Sequence, residues 1–281
     1  MLFAGALVGA LFAAKSTAHM ALNYPAPFNA SNNVNRASDG FDPYLEFPYD
    51  KAGPNARWQY PCRGYQKLMG TPEGAPTATW EAGSKQNWNI SGIGNHFGGS
   101  CQVGFSVDGG ETFRVATSYE GNCPHRNKGN GPDGQDFEFK VPSDIEPGVH
   151  IFAWIWYNRE QEFNMNCAAV KISSPGASPT HYTARSTLGK RRTIFRTDKA
   201  SRDADANFVS FNERPLMFVA DDGNDCLTPH TSAELKYPDP GPDIVQGDGA
   251  YPLELPTGKC APSQMLLKQG YNGVNGNDGH A

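Results

Sequence analysis

His19 stands directly behind Ser16-Thr17-Ala18, and an unbroken apolar run, LFAGALVGALFAA at 2–14, stands in front of it. That run is too short to span a bilayer and has the length of the apolar part of a secretory leader. Ser16 and Ala18 supply the small residues such a leader carries three places and one place before its cut. Residues 1–18 therefore read as a signal peptide, and cleavage after Ala18 would make His19 the first residue. A histidine there can chelate, because its free amine and its ring Nδ1 close a six-membered ring on one ion. An amine with an ordinary pKa of about 8 gives up its proton to a metal near neutral pH. One more imidazole would complete three nitrogens in a T shape, the tetragonal set that Cu(II) prefers.

His96, in GNHFGGSCQ, is the candidate for that imidazole. Glycines at 92, 94, 98 and 99 surround it, so backbone can approach closely and leave the ring accessible. A strand start with Cys101 follows at once, and a disulfide-tied loop on a sandwich suits a rigid ligand. The other histidines read differently. His125 belongs to a loop, His150 to an apolar strand where packing is the default, and His181, His230 and His280 receive no role. Trp154 and Trp156 read as core, and Tyr24 as either a loop residue or part of a surface near His19. There is no glycine-rich phosphate loop leading into a helix, no G-x-S-x-G, and no spacing that singles out a glycosidase carboxylate pair.

The elements that must hold these residues are strands. CQVGFSV (101–107) and DFEFKV (136–141) alternate, and Asp108-Gly109-Gly110 supplies a hairpin turn. GVHIFAWIWYN (148–158) is apolar on both faces, as a central strand is, and EFNMNCAAVKI (162–172) begins by alternating. With 31 glycines, 22 prolines and only 19% charged residues, the composition favours a loop-rich, all-β protein. The expected fold is an immunoglobulin- or fibronectin-like antiparallel β-sandwich with long loops, plus a small disulfide-tied C-terminal appendage. Residues 20–95 read as less regular, with loops rich in Pro, Asn, Asp and Gly and short apolar pieces such as Trp80 and Trp88. The boundaries expected are a leader at 1–18, the sandwich at 19–174, a linker at 175–213 that holds the dibasic stretch LGKRR, an appendage at 214–262 containing a short strand PLMFVA, and a disordered tail at 263–281.

All six cysteines fall after residue 18, an even number that implies three disulfides, with fifteen pairings open. Asn29-Ala30-Ser31 and Asn89-Ile90-Ser91 are compatible with glycosylation. A formal charge of −5 argues against nucleic acid or an anionic membrane as partner.

The stretches HMALNYPAPF, HFGGSCQV, EGNCP (120–124), IEPG (145–148), AWIWYNR (153–159) and MNCA (165–168) occur in an order that is itself informative. On them the chain from His19 to about Ser174 resembles the fungal lytic polysaccharide monooxygenases, specifically the chitin-active auxiliary-activity family eleven. The resemblance implies a β-sandwich with one copper ion per chain in a histidine brace, on a flat face that lies against a polysaccharide surface. It implies His19 as the bidentate ligand, His96 as the third nitrogen, and the pairs Cys62–Cys167 and Cys101–Cys123, which leaves Cys226–Cys260. Glu162 corresponds to a carboxylate beside the copper that can hydrogen-bond there. Asn164 departs from the pattern: it stands where family members usually carry the axial tyrosine, and the connection NREQE before it is about two residues shorter than usual. The function implied is that of a secreted, extracellular, monomeric copper monooxygenase that cleaves a β-linked polysaccharide, chitin or a related glucan, with an external electron donor and O2 or H2O2. Asn164 and the long extension motivate an alternative, a copper-binding cell-surface protein that keeps the brace without oxidative turnover. A third reading is a structural or carbohydrate-binding wall protein without metal.

Overall fold

The computed structural model describes residues 19–38, 40–49, 59–127, 131, 133–176 and 208–260. The expected leader (1–18), most of the expected linker with its dibasic stretch, the tail at 263–281, and His181 and His280 lie outside the described residues.

Eight strands come first along the chain: β1 (Met20–Tyr24), β2 (Ala78–Glu81), β3 (Lys85–Gly92), β4 (Ser100–Ser106), β5 (Arg114–Glu120), β6 (Asp136–Lys140), β7 (Gly148–Tyr157) and β8 (Phe163–Ser173). Five short strands follow: β9 (Cys226–Leu227), β10 (Glu234–Leu235), β11 (Ile244–Gln246), β12 (Leu253–Glu254) and β13 (Thr257–Gly258). One sheet has the order β1-β3-β6 and the other β11-β5-β4-β7-β8-β2. The ladder β5-β4-β7-β8 is antiparallel, while β2 and β11 join its two edges in parallel. Among the described residues, helical structure is limited to 3-10 turns at Cys62–Leu68, Pro72–Gly74 and Phe211–Glu213. No helix of the described residues is long and apolar enough to cross a membrane.

The inter-sheet core is aromatic. Trp80 meets Phe105, Phe139 and Phe152 edge-on at 5.1–6.2 Å between ring centroids, and Trp88 stacks on Phe137 at 4.4 Å. Each such side chain contributes about 1.5–3 kcal/mol on burial. A second buried cluster lies apart from it and includes Phe28, Tyr49, Ile151, Ile155, Tyr157, Phe163, Met217, Phe218 and Tyr237. The two faces of β7 thus serve two cores, since Phe152, Trp154 and Trp156 join the first and Ile151, Ile155 and Tyr157 the second. That is why β7 is apolar without a break from Ile151 to Tyr157.

Two local expectations are corrected. Among the described residues, 20–95 hold three strands; β3 gave little sign of itself because it points only Trp88 and Ile90 inward within an otherwise polar run. PLMFVA is not a strand but an extended segment with a single bridge, Leu216 to Arg114. Its amides turn to separate acceptors: Met217 N–H to Phe113 O, Phe218 N–H to Gln102 Oε1 and Ala220 N–H to Tyr157 Oη. With its donors spread in this way, the segment has no continuous partner strand. The disulfides are Cys62–Cys167, Cys101–Cys123 and Cys226–Cys260. Residues 211–260 lie against the sandwich, with β11 in register along β5 (Val245 opposite Tyr119).

Candidate metal centre

His19 is positioned by β1, which begins one residue later. Its carbonyl accepts the Ile93 N–H at 2.9 Å, and Met20 pairs with Gly92. A side chain at Gly92 would strike the His19 carbonyl, so the close approach of these two backbones requires glycine there. Farther along β1, Leu22 N–H donates to the buried Asn166 Oδ1 at 2.9 Å, while Asn166 Nδ2 donates to Leu45 O at 3.0 Å. One amide of β8 thereby ties β1 to the 42–49 loop. That loop brings Phe47 against the His19 ring, 4.3 Å between centroids.

His96 sits between β3 and β4 on a backbone that side chains rarely adopt. His96 and Phe97 both have positive φ, 47° and 57°, a left-handed conformation that costs roughly 1–2 kcal/mol for each non-glycine residue. Asn95 closes the turn, with its Oδ1 accepting Phe97 N–H at 2.9 Å and its Nδ2 donating to His125 O at 2.8 Å. The His96 ring meets Trp156 of β7 edge-on at 5.6 Å.

The rings of His19 and His96 come to 6.1 Å between centroids, nearly perpendicular at 71°. The β7–β8 connection closes the place from one side. Asn158 organises that connection: its Oδ1 accepts the N–H groups of Glu160 and Glu162, and its Nδ2 donates to Glu162 Oε2 at 2.5 Å. An asparagine often caps a tight turn in this way. Glu162 Oε2 then lies 3.8 Å from His96 Nε2, and Glu160 Oε1 lies 3.2 Å from His96 Nδ1. Among the described residues, His96, Glu160 and Glu162 are the group whose donor atoms gather within 4.8 Å; His19 stands outside that set.

Asn164 is 2% exposed on β8, opposite Trp156 and two places before Asn166, hence on the same face. Its Oδ1 has no hydrogen-bond partner, and neither has the buried Nδ1 of His19. Buried polar atoms are almost always paired, and each orphan costs about 1–3 kcal/mol. The orphaned His19 Nδ1, with the His96 ring 6.1 Å away and two carboxylates beside that ring, fits a cation, and the two imidazoles fit copper.

The other residues weighed in the sequence have structural contacts. His125 stacks on Phe137 at 4.4 Å, and burial holds its ring below the usual histidine range despite nearby acceptors. His150 Nε2 lies 2.6 Å from Glu146 O. Trp154 and Trp156 are fully buried, and Tyr24 Oη accepts from Trp80 Nε1 at 3.4 Å. The His230 carbonyl accepts from both Ser232 N–H and Ser232 Oγ. Sequence reasoning passed over Glu160, Phe47, Asn158 and Asn166. Only Asn158, an asparagine opening a tight connection, carried a local signal. Exposed apolar side chains stand near the two histidines beside the Glu160 carboxylate: Ile93 and Phe97 are 60% and 49% exposed, and the half-exposed Tyr44 contacts Phe47.

No family model matches the chain. Lytic polysaccharide monooxygenase A of the auxiliary-activity family AA11 from Aspergillus fumigatus (strain CBS 144.89) is 36% identical over 184 residues, which is 65% of this chain and 77% of that protein. Monooxygenase B of the same family from A. fumigatus (strain Af293) is 31% identical over 271 residues, 91% of this chain. An AA11 enzyme of A. oryzae is 29% identical over 253 residues, 85% of this chain. The chain spans 55% and 50% of the length of these last two proteins. Among solved structures, a lytic polysaccharide monooxygenase of Jonesia denitrificans overlaps 55% of this chain and all of its own, with a TM-score of 0.35 and 17% identity. The curated relatives place the chain among the copper-dependent oxidoreductases. The chain belongs to the AA11 family of lytic polysaccharide monooxygenases.

Proposed function

We propose that the chain is exported, is trimmed after Ala18, and oxidatively cleaves a β-linked polysaccharide, chitin or a related glucan, in the extracellular space. His19 would hold one copper ion through its freed amine and Nδ1, and His96 through Nε2. The observation that carries this reading is the meeting of the two rings at 6.1 Å with the His19 Nδ1 left unpaired. Bound copper would supply one-electron chemistry, accepting an electron from an external donor and activating O2 or H2O2.

The protein's own groups do the rest. Asn158 holds the Glu162 carboxylate at the edge of the centre, where it can accept or return a proton. Phe47 and Trp156 wall the imidazoles and exclude water. Asn164 offers a neutral amide oxygen where family members usually present a phenol, so this chain lacks the acidic, oxidisable group at that position. The exposed Ile93, Phe97 and Tyr44 form an apolar rim suited to the flat faces of sugar rings.

Asn164 also favours a second reading, copper held on a cell surface without turnover. One assay separates the two. Leader-free protein with copper and ascorbate should release oxidised oligosaccharides from chitin or a β-glucan. Tight copper binding with neither peroxide formation nor chain cleavage would instead establish the second reading.

A further inference from the structure

The loop after His96 is gripped from far along the chain. Glu234, on β10, is 2% exposed, and its Oε1 accepts the Gly99 N–H at 2.9 Å, the Asn122 N–H at 3.0 Å and the Arg126 guanidinium. Arg126 in turn donates to Phe97 O at 3.0 Å and pairs with Asp248, another residue of the C-terminal segment. A side chain at Gly98 would collide with both Arg126 and Glu234, and one at Gly121 with Glu234. Gly98 of HFGG is therefore where this ion pair enters, while Gly99 makes room for Tyr157 O and the Trp156 ring. The same segment reinforces the contact: Ser100 Oγ donates to Leu235 O, and the Tyr251 ring lies under the guanidinium groups of Arg126 and Arg159.

His96 and Phe97 hold positive φ without being glycine, and Asn95 in front of them both closes the turn, accepting Phe97 N–H, and reaches across to His125 O and Gly131 O. Such strain persists only where surrounding contacts over-determine the backbone. Among the described residues, long-range hydrogen bonds reach residues 97–99 from Trp156 Nε1 and Cys123 N–H, on the sandwich and its disulfide loop, and from the Glu234–Arg126 pair.

We propose that Glu234 is a positioning residue for His96: the C-terminal segment inserts its carboxylate to fix the strained loop that aims the imidazole at the metal centre. The proposal rests on His96 being a copper ligand. It assigns residues 208–260 a task in the centre itself, as part of the frame that holds a ligand.

The test uses leader-free, full-length protein with three variants: Glu234→Ala, Glu234→Gln, which keeps an acceptor oxygen, and Phe211→Ala. Phe211 belongs to the same segment but packs in the inter-sheet core against Phe105. Glu234→Ala is expected to weaken Cu(II) binding about 10- to 100-fold, the range for losing a group that orients a ligand. It should also shift the Cu(II) EPR spectrum and, in metal-free protein, speed amide exchange at Gly99 and Asn122 at least about tenfold. Glu234→Gln should recover most of each effect. Phe211→Ala should lower the melting temperature with copper affinity, spectrum and loop exchange unchanged. The proposal is overturned if Glu234→Ala alters only the melting temperature, or if Phe211→Ala reproduces its copper and exchange effects. A wild type with no copper site would overturn the function proposed above, and the exchange comparison in metal-free protein would still decide whether Glu234 holds the loop.

Discussion

The aromatic core between the sheets and the loop end that carries the two histidines are built by different means. In the core, Trp80, Phe105, Phe139 and Phe152 interlock through area and shape, and any one is supported by several neighbours. At the loop end, the backbone beside His19 and His96 is held by a few polar contacts that cross great lengths of chain, as when Asn166 reaches Leu22 or Glu234 reaches Gly99. The core decides whether the molecule folds; the loop end decides where three donor atoms stand. Loss of a core side chain should lower stability broadly, whereas loss of an amide near the histidines should change metal binding more than stability.

The largest effect should come from the core. Phe152→Ala removes a ring touching Trp80, Phe105 and Phe139, and urea unfolding should show a loss of about 3–5 kcal/mol. The copper EPR spectrum of the protein that remains folded should match wild type; a changed spectrum would break the division drawn here. Next comes Asn166→Ala, which strips partners from Leu22 N–H and Leu45 O and should cost about 1–3 kcal/mol. Because Asn166 ties down the strand beginning beside His19, copper affinity should fall with it, as calorimetric titration would show. Asn164→Leu should behave in the opposite sense. Replacing the orphaned amide with an apolar side chain of similar size should leave metal-free stability unchanged or raise it by up to about 1 kcal/mol, yet alter the EPR spectrum. Lower stability with an unaltered spectrum would show that Asn164 is packing alone.

The smallest effect concerns pH. Burial depresses the pKa of His125, so below the ordinary histidine value the unfolded chain takes up a proton that the folded protein refuses. Its contribution to stability is full at neutral pH and declines as pH falls below that value. His125→Phe, which keeps the stack on Phe137, should make the melting temperature less sensitive to pH between neutrality and mild acid.

The same contrast explains what could be read from the residues alone. β4, β6, β7 and β8 announce themselves by alternation or by continuous apolar runs, since burial selects side chains locally. β1 to β3 do not, because two inward residues such as Trp88 and Ile90 give too short a signal among Lys, Gln and Asn. At the site, His19 and His96 could be singled out by their neighbours in sequence, a small-residue cut and a run of glycines. Glu160, Asn166 and Glu234 could not. Each acts through a partner that the fold supplies, and Glu234 does so across more than a hundred residues. Asn164 and Asn166 read as the polar side of an alternating strand, yet both are buried, because β1 and its loop cover that face.

The central claim is that a freed terminal nitrogen on His19 works with His96 to bind copper. The most direct measurement is Cu(II) titration followed by EPR on two proteins, one beginning at His19 and one with a single alanine added before it. The account predicts a spectrum of three nitrogen ligands for the first, and for the second an affinity at least about 100-fold weaker with that spectrum lost. Equal affinity and identical spectra in the two proteins would contradict it.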